Sequence, residues 1–247
     1  MKANTKVVFV ESPGSLTFEM QDIPAIAEAA HVKGAVVILD NSWATPLYFK
    51  PFAHGVDVSI QAATKYIVGH ADAMLGVITT KEAHYTTIRQ MTANIGACSA
   101  PEECFLALRG LRTLRVRLER HHATAMKLCE WLKGQNEVAR ILYPALPEDP
   151  GHALWKRDFT GAPGLFSFVL KGTPKKAVVA MLDGMKLFAM GYSWGGYESL
   201  ILPFYPESLR TATQWQGGPC LRIHAGLEDA EDLIRDLDEG FKRMRAA

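Results

Sequence analysis

A lysine that follows a run of small and apolar residues is the first place to look for chemistry. In SIQAATKYIVGHADA (residues 59–73), Lys65 comes directly after Ala62, Ala63 and Thr64. An ammonium group is strongly hydrated and costly to bury unpaired, so such a lysine either reaches water from a loop or has its charge removed by reaction. Upstream, Asp40 ends the apolar run AVVILD, and Glu11 with Ser12 follows KVVFV. All of these polar groups fall at the carboxyl ends of expected strands, where open α/β sheets bind ligands. A lysine and an acid facing one crevice suit a cofactor held as a Schiff base. The amine condenses with an aldehyde, and the acid keeps a ring nitrogen protonated so that the ring can accept carbanion electrons. Pyridoxal phosphate has those needs; Ala62 and Ala63 would let its ring approach the backbone, and Thr64 could donate to a phosphate oxygen. Two other readings fit the same residues. A metal-free Schiff-base aldolase needs only the lysine. In the other there is no ligand, Asp40 forms a turn and Lys65 faces solvent.

These residues need a frame that brings strand ends together. KVVFV (6–10) reads as a strand ending in the turn cluster ESPGS. IPAIAEAAHVKG (23–34) has helical periodicity, with Asp22 as N-cap and Gly34 as the stop. AVVILD (35–40), VDVSIQA (56–62) and AMLGVITT (73–80) are further strands, so a βαβ unit and a largely parallel sheet are expected. From about residue 111 the pattern changes. A long helix over 111–134 precedes the strand-like VARILYP and GLFSFVLKG (164–172). Helical KKAVVAMLDGM, the strand PCLRIHAGL (219–227) and the amphipathic EDAEDLIRDLDEGFKRMR complete the chain. The expectation is an α/β protein: a mostly parallel sheet in residues 1–111, then a smaller α+β domain in 112–247. In LRGLRTLRVRLER (108–120), Arg alternates with Leu at helical spacing, which predicts an amphipathic helix with its arginines in solvent.

Composition narrows the function classes. With 27 basic against 26 acidic side chains, the chain has no electrostatic footprint for nucleic acid or an anionic membrane. Cys98, Cys104, Cys129 and Cys220 form no CxxC and no metal-ligand spacing. His70, His121 and His122 show no partner pattern and receive no role. No apolar run approaches the length of a membrane span, and MKANTKVVFVES does not read as a signal peptide, so a cytoplasmic protein is expected.

Six segments extend this reading. VVFVESPGS, VVILDNSWATP, DVSIQAATKYIVGHADA, LRGLRTL, YSWGGYESLI and LRIHAGLED resemble, in order, motifs of the Cys/Met metabolism family of pyridoxal-phosphate enzymes. The resemblance implies the fold of the aspartate-aminotransferase-like transferases, here the C-terminal part of the large cofactor-binding domain followed by the small domain. It implies that Lys65 forms the Schiff base, Asp40 meets the pyridine nitrogen and Thr64 a phosphate oxygen. Arg222 would grip the substrate α-carboxylate, the backbone of Ser193 would touch the same group, and Tyr192 and Trp194 would line that pocket. Ser15 stands where many relatives carry Asn, and Ala71 where they often carry Ser or Asn. SWGGYESL resembles the β-eliminating members, since γ-acting relatives carry smaller apolar residues at Trp194 and Tyr197. The implied substrate is a small amino-acid thioether, and the implied assembly of the complete protein is a dimer of dimers. Members of the family are longer than this chain, which resembles them from inside the large domain onward. Their glycine loop for the phosphate, their stacking tyrosine and their N-terminal arm have no counterpart in these residues. The expectation is therefore that this chain alone binds the cofactor poorly, with a purely structural or dimerisation role as the alternative.

Overall fold

VVFVE, VVILD and VSIQA are rich in β-branched residues, which favours strand over helix. In the computed structural model, which describes residues 1–247 except the side chains of Ser208 and Leu209, they are strands. The order is β1 (Val7–Glu11), α1 (Ile23–Val32), β2 (Val36–Asp40), the single turn α2 (Thr45–Tyr48), β3 (Val58–Ala62) and β4 (Gly76–Thr80). The sheet order is β1-β2-β3-β4, with the first three strands parallel and β4 antiparallel to β3. Asp22 caps α1 by accepting from Ala25 N at 3.1 Å, and Gly34 turns the chain back with a left-handed φ of 67°. The last strand begins later than the expected residue 73. Leu75 is engaged elsewhere: its N–H donates to Thr64 Oγ1 (2.8 Å) and its carbonyl accepts from Thr64 N (3.1 Å).

The helices that follow are α3 (Glu82–Asn94), α4 (Pro101–Leu111) and α5 (Leu114–Lys133). No residue of α3 is buried, so it carries no apolar stripe for periodicity to reveal. Then come β5 (Val138–Leu142), α6 (His152–Asp158), β6 (Leu165–Leu170), α7 (Lys175–Leu182), β7 (Ala189–Met190), β8 (Leu200–Phe204), β9 (Cys220–His224) and α8 (Ala230–Ala246). The second sheet runs β5-β6-β9-β8-β7, antiparallel except for the β7–β8 pair. It has β7 and β8 beyond the expected strands. Pro203 argues against a strand in LILPF. Yet β7 pairs only with Leu200 and Ile201, so no second neighbour requires an N–H at Pro203. Val37, Leu39 and Phe49 share one apolar core with Leu128, Leu132, Phe166, Leu237 and Phe241, so both sheets pack on the same interior.

The expected helix over 111–134 is corrected in one respect that matters. LRGLRTLRVRLER is broken at residues 112–113, and Arg117 is buried rather than solvated. Its Nη1 donates to Tyr66 O (2.8 Å), its Nη2 to Gly110 O (2.8 Å) and Ile67 O (3.3 Å), and its Nε to Thr113 Oγ1 (3.0 Å). The guanidinium thus ties the end of α4 and the start of α5 to the segment after Lys65. Two glycines allow that closeness. An added Cβ at Gly110 would strike the carbonyl oxygens of Ile67 and Val68, and one at Gly69 (φ 72°) would strike the guanidinium.

In the first sheet, Glu11 lies opposite Asp40 at the carboxyl ends of β1 and β2. Burial, then the charge of Asp40, raises the Glu11 pKa to about 7, against a hydrogen bond from the Ser15 backbone.

Two outcomes follow from these contacts. Arg117→Met keeps much of the stem but strands buried carbonyls, and urea unfolding should show a loss of about 3 kcal/mol. A loss below about 0.5 kcal/mol would mean that the clamp contributes nothing. Folded Glu11 holds its proton from pH 4.5 to about 7, where the unfolded chain has released it, so stability falls as pH rises through that window. Glu11→Gln should therefore stabilise the protein by about 1 kcal/mol at pH 8, a figure reduced for partial solvent exposure, and by nothing below the unfolded pKa. Equal effects in urea melts at both pH values would contradict this.

Candidate active site

Ala62 ends β3, and residues 63–68 fold into a tight turn. Lys65 N donates to Ala62 O (3.0 Å), Val68 N to Ala63 O (2.8 Å) and Gly69 N to Lys65 O (2.8 Å). These bonds close the turn, Arg117 takes the carbonyls of Tyr66 and Ile67, and the Lys65 side chain projects from it. It is half-buried. Its Nζ donates to Ser193 Oγ at 2.7 Å and lies 5.2 Å from the centre of the Trp194 ring. Among the described residues no carboxylate pairs with it. Burial, and secondarily the positive charge of Arg222, holds its pKa below the ordinary lysine value. An unpaired amine of lowered basicity is suited to attack a carbonyl or to take a proton from carbon.

The groups facing Lys65 come from the loop 191–199, which strand β9 and the residues after it hold in place. Side chains alternate along a strand, so Arg222 and His224 project to the same face. Arg222 Nη2 donates to Tyr192 O (2.6 Å), Ser193 O (3.2 Å) and Gly191 O (3.4 Å), and its guanidinium carbon lies 5.4 Å from the Tyr192 ring centre. Those bonds use one nitrogen and leave Nη1 and Nε for an anion. His224 Nε2 lies 3.2 Å from Gly195 N and 3.0 Å from Gly196 O. Glu228 accepts from Ser199 N and Ser199 Oγ, both at 2.7 Å. The segment CLRIHAGLE therefore seizes successive parts of one loop. Behind it, Tyr66 packs against Trp194, His121 and His224 with ring centres 5.3, 5.6 and 5.9 Å away. Burial keeps both histidines neutral, lowering His121 to about 4 and His224 to about 3.

Of the expected site residues, Lys65, Tyr192, Ser193, Trp194 and Arg222 form one constellation. Asp40 and Thr64 stand outside its contacts. Asp40 Oδ1 accepts from Ser42 N (2.9 Å), leaving the other oxygen for a ligand, and the residue lines a cavity of ≈ 710 Å³ with Ile60, Ala62 and Tyr85. The Thr64 hydroxyl accepts from Leu75 N and donates to Leu75 O (3.3 Å), so a phosphate contact would have to draw its proton from that carbonyl. Ser15 is exposed on the loop after β1. Ala71 has a left-handed φ of 57°, a conformation that favours Asn over Ala. A cavity of ≈ 630 Å³ beside Phe18, Leu142 and Trp215 contains none of these residues. His224, Glu228, Tyr66 and Arg117 were not among the expected site residues. The alternation Arg-x-His in CLRIH was the one local signal that placed His224 beside Arg222. His121, which the sequence left without a role, lies beneath the site with Nδ1 2.7 Å from Ala225 O. His70 bonds Val68 O, and His122 meets the Tyr143 hydroxyl.

An unpaired amine of low basicity, a half-free carboxylate at the sheet edge and a guanidinium with open nitrogens fit an aldehyde cofactor and an amino-acid substrate. Comparison with known proteins agrees. The model of the family described as Cys/Met metabolism PLP-dependent enzyme matches residues 1–242. A putative cystathionine beta-lyase of Rhizobium johnstonii is 50% identical over 99% of this chain and 63% of its own length. The cystathionine beta-lyase MetC of Escherichia coli is 48% identical over 99% of this chain and 64% of its length. The crystal structure of a cystathionine gamma synthase from Xanthomonas oryzae pv. oryzae in complex with cystathionine superposes with a TM-score of 0.89 at 35% identity, covering 98% of this chain and 64% of that one. The chain thus spans somewhat under two thirds of the length of these relatives. It belongs to the Cys/Met metabolism family of pyridoxal-phosphate-dependent enzymes, whose cofactor is pyridoxal 5'-phosphate.

Proposed function

We propose that this chain is the lysine-bearing part of a carbon–sulfur lyase that β-eliminates L-cystathionine to homocysteine, pyruvate and ammonia. The observation that carries the reading is the Lys65 amine, unpaired by any acid, beside Ser193, Trp194 and Arg222. Lys65 would hold the cofactor through its Nζ, and Asp40 would meet the pyridine nitrogen with its unengaged oxygen. Bound there, pyridoxal phosphate supplies an electron sink for a substrate carbanion. Arg222 offers Nη1 and Nε to the substrate α-carboxylate, a pairing strengthened by charge and by two parallel bonds. Its third nitrogen stays on the loop carbonyls, so carboxylate binding and loop position are coupled. Lys65 would be the base at Cα. Its lowered pKa makes more of the neutral, proton-accepting amine available at a given pH than an ordinary lysine offers. The same lysine is placed to return a proton to the departing thiolate. Thr64 would reach the phosphate through its hydroxyl.

The preference for β- over γ-elimination rests on Trp194 and Tyr197. The Trp194 indole is wedged between Tyr66 and the Lys65 amine, which restricts how a substrate tail can fold toward the lysine. The lyase names of the relatives at 50% and 48% identity point the same way, whereas the solved neighbour is a γ-synthase. A γ-acting enzyme is accordingly the second reading, and a chain with only a structural or dimerisation role the third. Assembly of the complete protein as a dimer of dimers and a place in the cytoplasm belong to the first reading; no helix among the described residues is long and apolar enough to cross a membrane. Products decide between the readings. With pyridoxal phosphate and L-cystathionine, pyruvate with homocysteine is expected. Dominant 2-oxobutyrate with cysteine would move the reading to γ-elimination, and no turnover in the assembled protein would leave the structural role.

A further inference from the structure

Strand β9 holds the loop over Lys65 at two points. Arg222 takes the carbonyls of residues 191–193, and His224 takes the pair of glycines that follow Trp194. The turn at those glycines has no slack on its lysine side. Gly195 is left-handed (φ 89°), and an added Cβ there would lie 2.9 Å from both the Cα and the carbonyl carbon of Lys65. The place of His224 Nε2 therefore sets how closely this loop sits on the lysine turn. It thereby sets how far Ser193 and Trp194 screen the amine from water.

We propose that His224 is a positioning residue for Lys65, acting through the Gly195–Gly196 turn to keep the lysine amine in its half-buried seat beside Ser193 and Trp194. This rests on the proposed function only in taking Lys65 as the reacting amine. The imidazole is wholly buried, at 1% exposure, and packs on the Tyr66 ring next in sequence to Lys65 and on His121 at 5.1 Å. As a bare acceptor Nε2 takes the Gly195 N–H; carrying a proton it donates to Gly196 O, so either neutral tautomer holds one side of the turn. The titratable and charged groups around Lys65 are Arg222 and His224 from β9, Tyr66 from its own turn, His121 from α5 and Tyr192 from the loop. Both histidines stay neutral above about pH 4, so the positive charge beside the amine is that of Arg222. Water reaching Lys65 would weaken the effect of burial and raise its pKa toward that of an ordinary lysine.

The ring could act by its bulk or by its nitrogen, and two substitutions separate these. His224→Phe keeps an aromatic ring under Tyr66 and removes the hydrogen bond. His224→Gln returns an amide nitrogen and oxygen to the reach of the glycines. The readout is competitive acetylation of Lys65 against pH in the full chain without cofactor, quantified by peptide mass analysis. The labelling midpoint of Lys65 should rise by about one pH unit in H224F, about tenfold less neutral amine at a given pH, and stay at the wild-type value in H224Q. An unchanged midpoint in H224F, or an equal rise in both variants, overturns the proposal. Should H224F fail to fold, H224Q alone decides: the wild-type midpoint supports the proposal and a raised one overturns it. Failure of the proposed function shows elsewhere, as lack of cofactor attachment at Lys65, and these midpoints do not depend on it.

Discussion

The guanidinium of Arg117 sits where three pieces of chain converge: the turn carrying Lys65, the end of α4 and the start of α5. Gly110 O also accepts from Thr113 N (3.0 Å), whereas the carbonyls of Tyr66 and Ile67 lie in the lysine turn outside any helix or strand ladder. An arginine can hold several such oxygens at once because its donors radiate from one rigid plane. It thereby adds to the turn's own backbone bonds, which close the chain after β3 has delivered the lysine to the sheet edge. Gly110 and Gly69 are small because the guanidinium and the turn occupy the space a side chain would need. Thus a single buried charge, hydrogen-bonded through each of its three nitrogens, links the parallel sheet to the long helix beneath the second sheet.

From the other side, the second sheet supplies what faces the amine. Arg222, His224 and Glu228 each grip a different part of the loop 191–199, and that loop carries Ser193 and Trp194 to the lysine. The site is therefore an interface between the two halves of the chain, built on one shared apolar core. Its electrostatics follow from that place. A lysine half-buried there, and secondarily set beside the Arg222 guanidinium, loses part of its affinity for a proton. In the first sheet Glu11 shows the opposite case, where burial and then the charge of Asp40 raise its affinity for a proton.

Much of this was legible in the residues. Strands rich in Val and Ile, broken by turn clusters, gave the parallel sheet and placed Asp40, Thr64 and Lys65 at its carboxyl edge. The loop 191–199 was legible only as a motif shared with a family, because its place over Lys65 depends on contacts 128 positions away in sequence. Arg117 was misread because an Arg–Leu alternation states that some arginines face solvent without stating which one meets an inward carbonyl. β8 was hidden by Pro203, which is tolerated only because β7 is short. Helix α3 was hidden because it buries no face, and burial is what periodicity detects.

The central claim is that Lys65 is the amine that joins the cofactor. Borohydride reduction of the protein after incubation with pyridoxal phosphate, followed by digestion and peptide mass mapping, tests it most directly. The account predicts one reduced phosphopyridoxyl group, on Lys65. Label on Lys50 or Lys81, or scattered over surface lysines with Lys65 unmodified, would contradict it.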